Sequence, residues 1–204
     1  MTSITHHPSQ ATLARFAAGE LDEACHIVVA THLRLCTGCM REVNDFEQFG
    51  GVFLESEKPL PLRTAALTDI LARIHEPFDD SEMTNLDFAA LRDGNWRWIY
   101  RGLWLKPLPA AVQNDTKAFM LKASPGAKLP AHGHKGIEWT CIVEGAYRHD
   151  YGRFGPGDFD EADETVEHRP LVESGGSCIC IVALQRGIEL KSWLGRVVQP
   201  LIRI

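Results

Sequence analysis

Two histidines and a glutamate occupy even-numbered positions in one short segment of the chain. They are His132, His134 and Glu138. Side chains alternate between the two faces of a strand, so these three share one face if the segment is extended. Two imidazoles and a carboxylate form a ligand set for a divalent ion such as zinc, iron, manganese or nickel. The segment therefore predicts a metal site, and the simpler alternative is that these are solvated surface residues.

The spacing around these residues is Gly-x5-His-x-His-x3-Glu-x6-Gly, from Gly126 to Gly145. It resembles the first motif of the cupin superfamily, small double-stranded β-barrels that carry a metal in their mouth. In that family a histidine after a second motif, built around Pro-x-Gly, completes the ligand set. The resemblance implies His168, although ten residues separate it from Gly157 where the family pattern has two.

A second ligand pattern lies near the N-terminus. His32, Cys36 and Cys39 have the spacing His-x3-Cys-x2-Cys, which on a helix and its C-terminal turn brings the three side chains to one face. Such a trio supplies three of the four ligands of a closed, tetrahedral zinc site, and His6 or His7 could supply the fourth. The alternatives are small core cysteines or a Cys-x-x-Cys redox pair, although the sequence lacks the βαβ pattern that usually accompanies such a pair.

Helix signals occupy the first third of the chain. Ser9 and Asp22 can cap two short helices, a third helix is expected from about Cys39, and Thr64 can cap a fourth, amphipathic one. From about residue 87 the pattern changes to short apolar runs and alternations separated by glycine and proline, which predicts an all-β structure. We therefore predict an α + β chain of two domains. A small zinc-stapled helical domain with a linker, residues 1–86, precedes a metal-binding cupin double-stranded β-barrel, residues 87–204.

The His-x3-Cys-x2-Cys pattern with an upstream histidine resembles the zinc-binding anti-sigma domain of bacteria. Joined to a cupin, it is similar to the ChrR family of anti-sigma factors. The likeness extends along most of the chain, through the His6-His7 pair, the segment 28–33, the cupin motif, Cys178 with Cys180, and the C-terminal segment 198–204. It implies His7 as the fourth zinc ligand, with His6 as the alternative.

The family resemblance also implies a function. The helical domain would sequester an extracytoplasmic-function (ECF) type sigma factor, gripped between the fourth helix and the rest of the chain. The cupin would trigger its release in response to singlet oxygen or a related oxidant. The resemblance implies zinc in the N-terminal site and a divalent metal in the cupin, for which zinc is favoured and iron, manganese and nickel are alternatives.

Two other functional classes stay open at this point. A cupin with three histidines and one glutamate can be a metal-dependent oxygenase, here fused to a zinc-stabilised interaction domain, because an open coordination position permits oxygen chemistry. The helical domain could also serve a protein partner other than a sigma factor. Activity on small molecules would distinguish the enzyme, and the identity of the captured partner would distinguish the third class.

Acidic charge is concentrated in the first part of the chain. Residues 1–86 hold 13 acidic side chains against 6 basic ones, whereas residues 87–204 hold 14 against 15. An acidic domain repels nucleic acid and complements a basic protein surface, such as that of a DNA-binding protein. We therefore expect a protein partner and no direct binding of nucleic acid, although an acidic face that only aids solubility would also account for the charge.

The sequence shows no signal for export or membrane insertion. No apolar run approaches the roughly 18 residues of a membrane span, and the N-terminus lacks the features of a secretory signal. We therefore expect a cytoplasmic protein without membrane association, in which the six cysteines are reduced thiols or metal thiolates. Cys178 and Cys180 lie two apart on one predicted strand, at the outer limit of disulfide reach, so we expect core thiols there.

Overall fold

The computed structural model describes residues 3–74, 94–108, 110, 112 and 114–191. Four helices precede eleven strands in this part of the chain. The helices are α1 (Gln10–Ala17), α2 (Glu23–Leu33), α3 (Thr37–Ser56) and α4 (Ala66–Arg73). The strands are β1 (Arg97–Tyr100), β2 (Leu103–Pro107), β3 (Thr116–Ala123), β4 (His132–His134), β5 (Glu138–Glu144), β6 (Tyr147–His149), β7 (Gly152–Phe154), β8 (Phe159–Ala162), β9 (Leu171–Val172), β10 (Cys178–Gln185) and β11 (Ile188–Leu190).

Side-chain caps begin the first two helices, as the sequence predicts. The Ser9 hydroxyl accepts a hydrogen bond from the Thr12 N–H at 3.2 Å, and the Asp22 carboxylate accepts one from the Cys25 N–H at 2.9 Å. The predicted Thr64 cap is wrong, because α4 begins after Ala65 and no side chain caps it. Thr64 lies inside a turn and therefore lacks the extended backbone that a capping residue needs.

Helix α3 continues through Gly50 and Gly51 to Ser56. Within the described residues the chain forms two compact units, and the division between them falls at this glycine pair. Residues 3–50 share one unit with residues 96–191, whereas residues 51–74 and 94–95 belong to the other. The predicted domain boundary between residues 86 and 87 lies outside the described residues, so the division into 1–86 and 87–204 stays a prediction.

The strands form three antiparallel sheets around a common core. The largest has the order β1-β2-β3-β10-β5-β8, and smaller sheets pair β11 with β4 and β7 with β6 and β9. In the central strand β10, the alternate residues that begin at Cys178 belong to the core cluster of the barrel. The other set faces outward, on the side where α2 packs against β3, β5 and β10. Helix and barrel thus bury β10 on both faces, which explains its continuous apolar sequence.

None of the four helices in the described part of the chain combines the length and hydropathy that crossing a bilayer requires.

All six cysteines are free and buried. Burial raises the pKa of the Cys178 thiol to about 12, and the nearby carboxylates of Glu144 and Glu173 act in the same direction. This thiol is therefore protonated and unreactive at neutral pH in the structure.

Two glycines of the cupin motif have positive φ but differ in the space around them. A Cβ at Gly126, where φ is +70°, would meet no atom within 4 Å. A Cβ at Gly145, where φ is +73°, would lie 2.2 Å from the carbonyl oxygen of Ser177. The first position thus needs glycine only for its backbone conformation, whereas the second also needs it for space.

We expect Gly145→Ala to destabilise the protein more than Gly126→Ala. The Gly126 variant should lose about 1–2 kcal/mol, the usual cost of a left-handed conformation for alanine. The Gly145 variant should lose more, because the chain entering β10 has to move. Denaturant unfolding of both variants measures the difference, and equal losses would mean that the backbone at Ser177 relaxes without cost.

Two candidate metal centres

The barrel brings together the four side chains that the sequence assigns to its metal site. His132, His134, Glu138 and His168 each place a ligand atom within 4.8 Å of the others. Strand β4 carries the two closely spaced histidines, and Glu138 begins β5. His168 joins them through an antiparallel bridge to His132, in which each backbone N–H donates to the other residue's carbonyl oxygen at 3.1 Å. This pairing places His168 despite its unusual distance from the Pro-Gly turn.

Backbone carbonyls orient two of the three imidazoles. Nδ1 of His132 lies 2.8 Å from the carbonyl oxygen of Pro130, and Nδ1 of His134 lies 3.1 Å from that of Val166. A carbonyl oxygen can only accept, so in these bonds Nδ1 carries the proton and, in a neutral ring, Nε2 presents its lone pair to the centre. Nε2 of His134 is buried without a hydrogen-bond partner.

The donor set fits a divalent cation. Nε2 of His132 lies 2.9 Å from Nε2 of His168, and the carboxylate of Glu138 lies 3.3 Å from Nε2 of His134. A cation among these atoms would satisfy the buried lone pairs that the protein leaves facing one another. These residues could therefore hold a metal.

The electrostatics of the barrel centre favour its metal-binding state. Burial alone would raise the pKa of the Glu138 carboxyl, but His132 and His134 hold that pKa well below its usual range. Burial lowers the pKa of His168 to about 4, so this ring is neutral at neutral pH. Burial acts to lower the pKa of His134, but the adjacent negative charge of Glu138 outweighs burial and raises this pKa above its ordinary value. A divalent cation would compete with that proton.

The N-terminal centre contains His7, His32, Cys36 and Cys39, whose ligand atoms also lie within 4.8 Å of one another. Nδ1 of His7 is 3.5 Å from Sγ of Cys36 and 3.4 Å from Sγ of Cys39. Nε2 of His32 is buried without a hydrogen-bond partner. Burial, with Cys36 beside it, raises the pKa of Cys39 to about 12. Such a thiol is inert as a redox group but becomes a thiolate when a cation binds it.

The structure places His7, and not His6, with the two cysteines. The ring of His6 instead lies against Phe154 of the barrel, with ring centroids 4.2 Å apart. His6 and His7 are adjacent in an extended segment, so their side chains point in opposite directions. One histidine therefore contacts the barrel while the other reaches the cysteines.

The His-x3-Cys-x2-Cys residues span the end of one helix, the connection after it and the start of the third helix, which was expected from about Cys39. His32 lies in the last turn of α2, Cys36 in the connection, and Cys39 in the first turn of α3. The Cys36 N–H still donates to the His32 carbonyl oxygen at 2.8 Å, which keeps these two side chains close. The break after Leu33 then redirects the chain, and the first turn of α3 brings in Cys39.

The segment that carries His7 is bound to strand β8 and to the turn before it. The Asp158 carboxylate accepts hydrogen bonds from the N–H groups of Thr5 at 2.6 Å and His6 at 2.9 Å. The Phe159 N–H donates to the carbonyl oxygen of His6 at 3.0 Å, and Glu161 accepts from the Ser9 N–H at 2.8 Å. This N-terminal tether, residues 4–9, was not predicted, because it links residues about 150 positions apart.

We expect Asp158→Asn to loosen the N-terminal tether. Burial alone would raise the pKa of Asp158, but bonds from the N–H groups of Gly155, Thr5 and His6 lower it. Its stabilisation is therefore present above the carboxyl's ordinary pKa and is lost as the pH falls through the lowered value. At pH 7 the free energy of unfolding of the variant should fall by at most about 1.5–3 kcal/mol for each hydrogen bond to the charged carboxylate. The asparagine amide can replace part of these bonds.

Denaturant unfolding between pH 7 and pH 2, with amide hydrogen exchange at residues 5–9, measures this effect. The exposed Asp150→Asn variant is the matched control and should behave as the unaltered protein does. The Asp158→Asn and unaltered proteins should converge at the acid end. An effect independent of pH would mean that the carboxylate charge does not hold the tether.

Comparisons with known proteins agree over nearly the whole chain. Residues 85–186 match the ChrR cupin-like domain family. The chain is 34% identical to the anti-sigma-E factor ChrR of Cereibacter sphaeroides, over 99% of this chain and 100% of that protein. It is also similar to a chain in the crystal structure of Rhodobacter sphaeroides SigE in complex with the anti-sigma ChrR. The identity is 36% and the TM-score 0.81, over 90% of this chain and 100% of that one.

Proposed function

Since the chain belongs to the ChrR family of anti-sigma factors, we propose that it sequesters an ECF-type sigma factor and releases it when an oxidative signal acts on the barrel. The bound chain covers the sigma surfaces that contact the polymerase core and the promoter. A tenfold loss of affinity corresponds to only about 1.4 kcal/mol, so a modest rearrangement suffices for release. The names of the relatives favour this regulator over the metal-dependent oxygenase.

The observation that carries the proposal is a set of exposed apolar side chains on two helices. Phe53 of α3 is 72% exposed and Ile70 of α4 is 60% exposed. We call the full set the apolar docking residues: Val52, Phe53, Leu54, Leu67, Ile70, Leu71 and Ile74. Helix α4 has no buried residue. A helix of this length is marginal alone, and exposed apolar clusters mark interaction surfaces.

Acidic and basic side chains both lie near the apolar docking residues. Glu55 and Glu57 are exposed on or just beyond the same stretch of α3, and Lys58, Arg63 and Arg73 are exposed in the segment that follows. Acidic groups at the rim of an apolar contact steer a basic partner towards it and disfavour nucleic acid. A DNA-binding sigma factor has basic surfaces of this kind, and it is the class of partner held by the related ChrR protein.

The donor chemistry supports different roles for the two centres. We propose zinc at His7, His32, Cys36 and Cys39, because two thiolates and two imidazoles form a closed tetrahedral set that links the N-terminal tether, α2 and α3. We propose a divalent metal at His132, His134, Glu138 and His168, with zinc favoured and iron, manganese and nickel as alternatives. The first ion contributes folding energy, and the second lies where a small molecule can approach.

An apolar cavity beside the barrel centre supports the signal that we propose. It has a volume of about 80 Å³ and is bordered by His132 and Glu138, with aliphatic side chains forming most of the remaining wall. That is several times the roughly 10–15 Å³ that one water needs by the same measure. The desolvation free energy for moving a small uncharged oxidant such as singlet oxygen into this cavity is small, whereas a charged oxidant would lose its hydration.

We expect Phe53→Asp and Ile70→Asp each to weaken sigma binding at least tenfold, because a buried charge would replace an apolar contact. Stability of the free protein should change little, since both side chains are exposed. The control is Val112→Asp, another exposed apolar position, at 64%. Co-purification with the sigma factor, followed by titration, measures the affinity. Unchanged affinity in both helix variants would place the sigma contact elsewhere.

The two metal centres should differ in phenotype. Cys36→Ala should unfold the helical part and leave sigma active in the absence of signal, because a structural zinc contributes folding energy. Glu138→Ala should leave sigma repressed in the dark but slow or abolish its release by singlet oxygen. The measurements are sigma-dependent reporter output at matched protein level and elemental analysis of each purified variant.

Cys180→Ser provides the control for the barrel, since this buried core thiol should affect release little. If Glu138→Ala removes the barrel metal and release proceeds as in the unaltered protein, the metal is not the sensor. Conversion of small molecules with oxygen by the unaltered protein would favour the oxygenase alternative.

A further inference from the structure

One of the three barrel imidazoles lacks the support that the other two have. Nδ1 of His132 and Nδ1 of His134 each bond to a backbone carbonyl oxygen. Nδ1 of His168 is buried and has no hydrogen-bond partner. A histidine that binds a metal almost always donates its other N–H to an acceptor, which fixes the ring and increases its basicity. His168 therefore needs an acceptor for its Nδ1–H if the ring binds a metal.

A carboxylate lies close to that ring. One oxygen of Asp160 lies within 4.8 Å of a ring nitrogen of His168. Asp160 belongs to β8 and is buried, and two neighbours hold it: the Tyr147 hydroxyl donates to Oδ2 at 2.7 Å, and Nε2 of His149 lies 2.8 Å from the same oxygen. The ring centroids of His149 and His168 are 4.8 Å apart.

The tautomer of His149 determines which atoms donate and which accept hydrogen bonds in this cluster. Nδ1 of His149 accepts a hydrogen bond from the N–H of Tyr151 at 3.2 Å, so Nε2 carries the proton and donates to Asp160. Both donors thus point at Oδ2 of Asp160 and fix the orientation of its carboxylate. This leaves Oδ1 free of these two bonds and able to accept another.

From this geometry we infer that Asp160 is a positioning residue for the barrel metal. Its carboxylate accepts a hydrogen bond from the Nδ1–H of His168, directly after a small ring movement or through one water, and holds Nε2 of His168 towards the metal. Tyr147 and His149 fix the carboxylate in place for this task. The inference deepens the proposed function and rests on the barrel metal site proposed above.

The same cluster does not suit a second metal ion. Both nitrogens of His149 are used, one as acceptor from Tyr151 and one as donor to Asp160. An ion there would need His149 to give up its proton and would share His168 with the first ion. We therefore expect the chain to bind two metal ions, one in each centre.

The test measures barrel metal affinity in the full chain by competition with a chelator, using zinc and cobalt(II). Asp160→Asn should lower that affinity 10–100-fold and change the visible spectrum of the cobalt form. Asp150→Asn makes the same substitution at an exposed position and should leave both unchanged. Tyr147→Phe should have an effect in the same direction but smaller.

A double-mutant cycle separates positioning from general stability. In a His168→Ala background, Asp160→Asn should not weaken the remaining affinity further, because the residue through which it acts is gone. An unaltered protein that binds no metal in the barrel would overturn the proposed site itself. Affinity within twofold of the unaltered protein, an additive effect in the His168→Ala background, or a third bound ion lost in Asp160→Asn would each overturn this inference alone.

Discussion

A hydrogen bond between the ring of His32 and the carbonyl oxygen of Gly157, 2.7 Å long, joins the N-terminal centre to the barrel. Gly157 has a φ of +88°, so the turn favours glycine for its backbone conformation, and a Cβ there would also displace the side chain of Ile4. Because that carbonyl only accepts, the bond leaves Nε2 of His32 as the atom that faces the cysteines. The helical ligand set thus depends on the barrel for the orientation of one member.

Strand β8 extends the same dependence. Its outward side chain Glu161 binds α1 and the N-terminal tether, while its inward side chain Asp160 lies beside the barrel centre. A strand is stiff along its length, and opposite faces alternate residue by residue. A displacement of β8 therefore changes the surroundings of both candidate centres together.

How much the sequence predicted depended on the distance between the residues involved. His132 and His134 could be assigned because strand alternation is local, and the zinc pattern because its spacing is short. The single extended segment expected through Glu138 is wrong, because the chain bends at residues 135–136 and Glu138 begins a strand of another sheet. The comparisons confirm the family, and with it the α + β fold class with a cupin. The continuous apolar run of β10 was visible in the sequence, but the packing of α2 across it could not be predicted. An apolar pattern indicates that a face is buried and does not identify the element that covers it.

The missed contacts have the same origin. The pair His149 and Asp160 carried no sequence signal, because the two residues lie on strands of different sheets. Contacts of that kind depend on the closure of the barrel and not on any local pattern.

The His32–Gly157 hydrogen bond also has a consequence for synthesis. Its partners are 125 residues apart, and at about 5–20 residues per second the ribosome needs about 6 to 25 s to pass from one to the other. Late in that interval α1 to α3 and their cysteines have been synthesised, but the carbonyl that orients His32 does not yet exist. In a nascent chain, one of the four candidate ligands of the N-terminal centre would thus be less firmly oriented than in the finished protein. Arrest of translation in this window would produce helices with a higher rate of metal exchange.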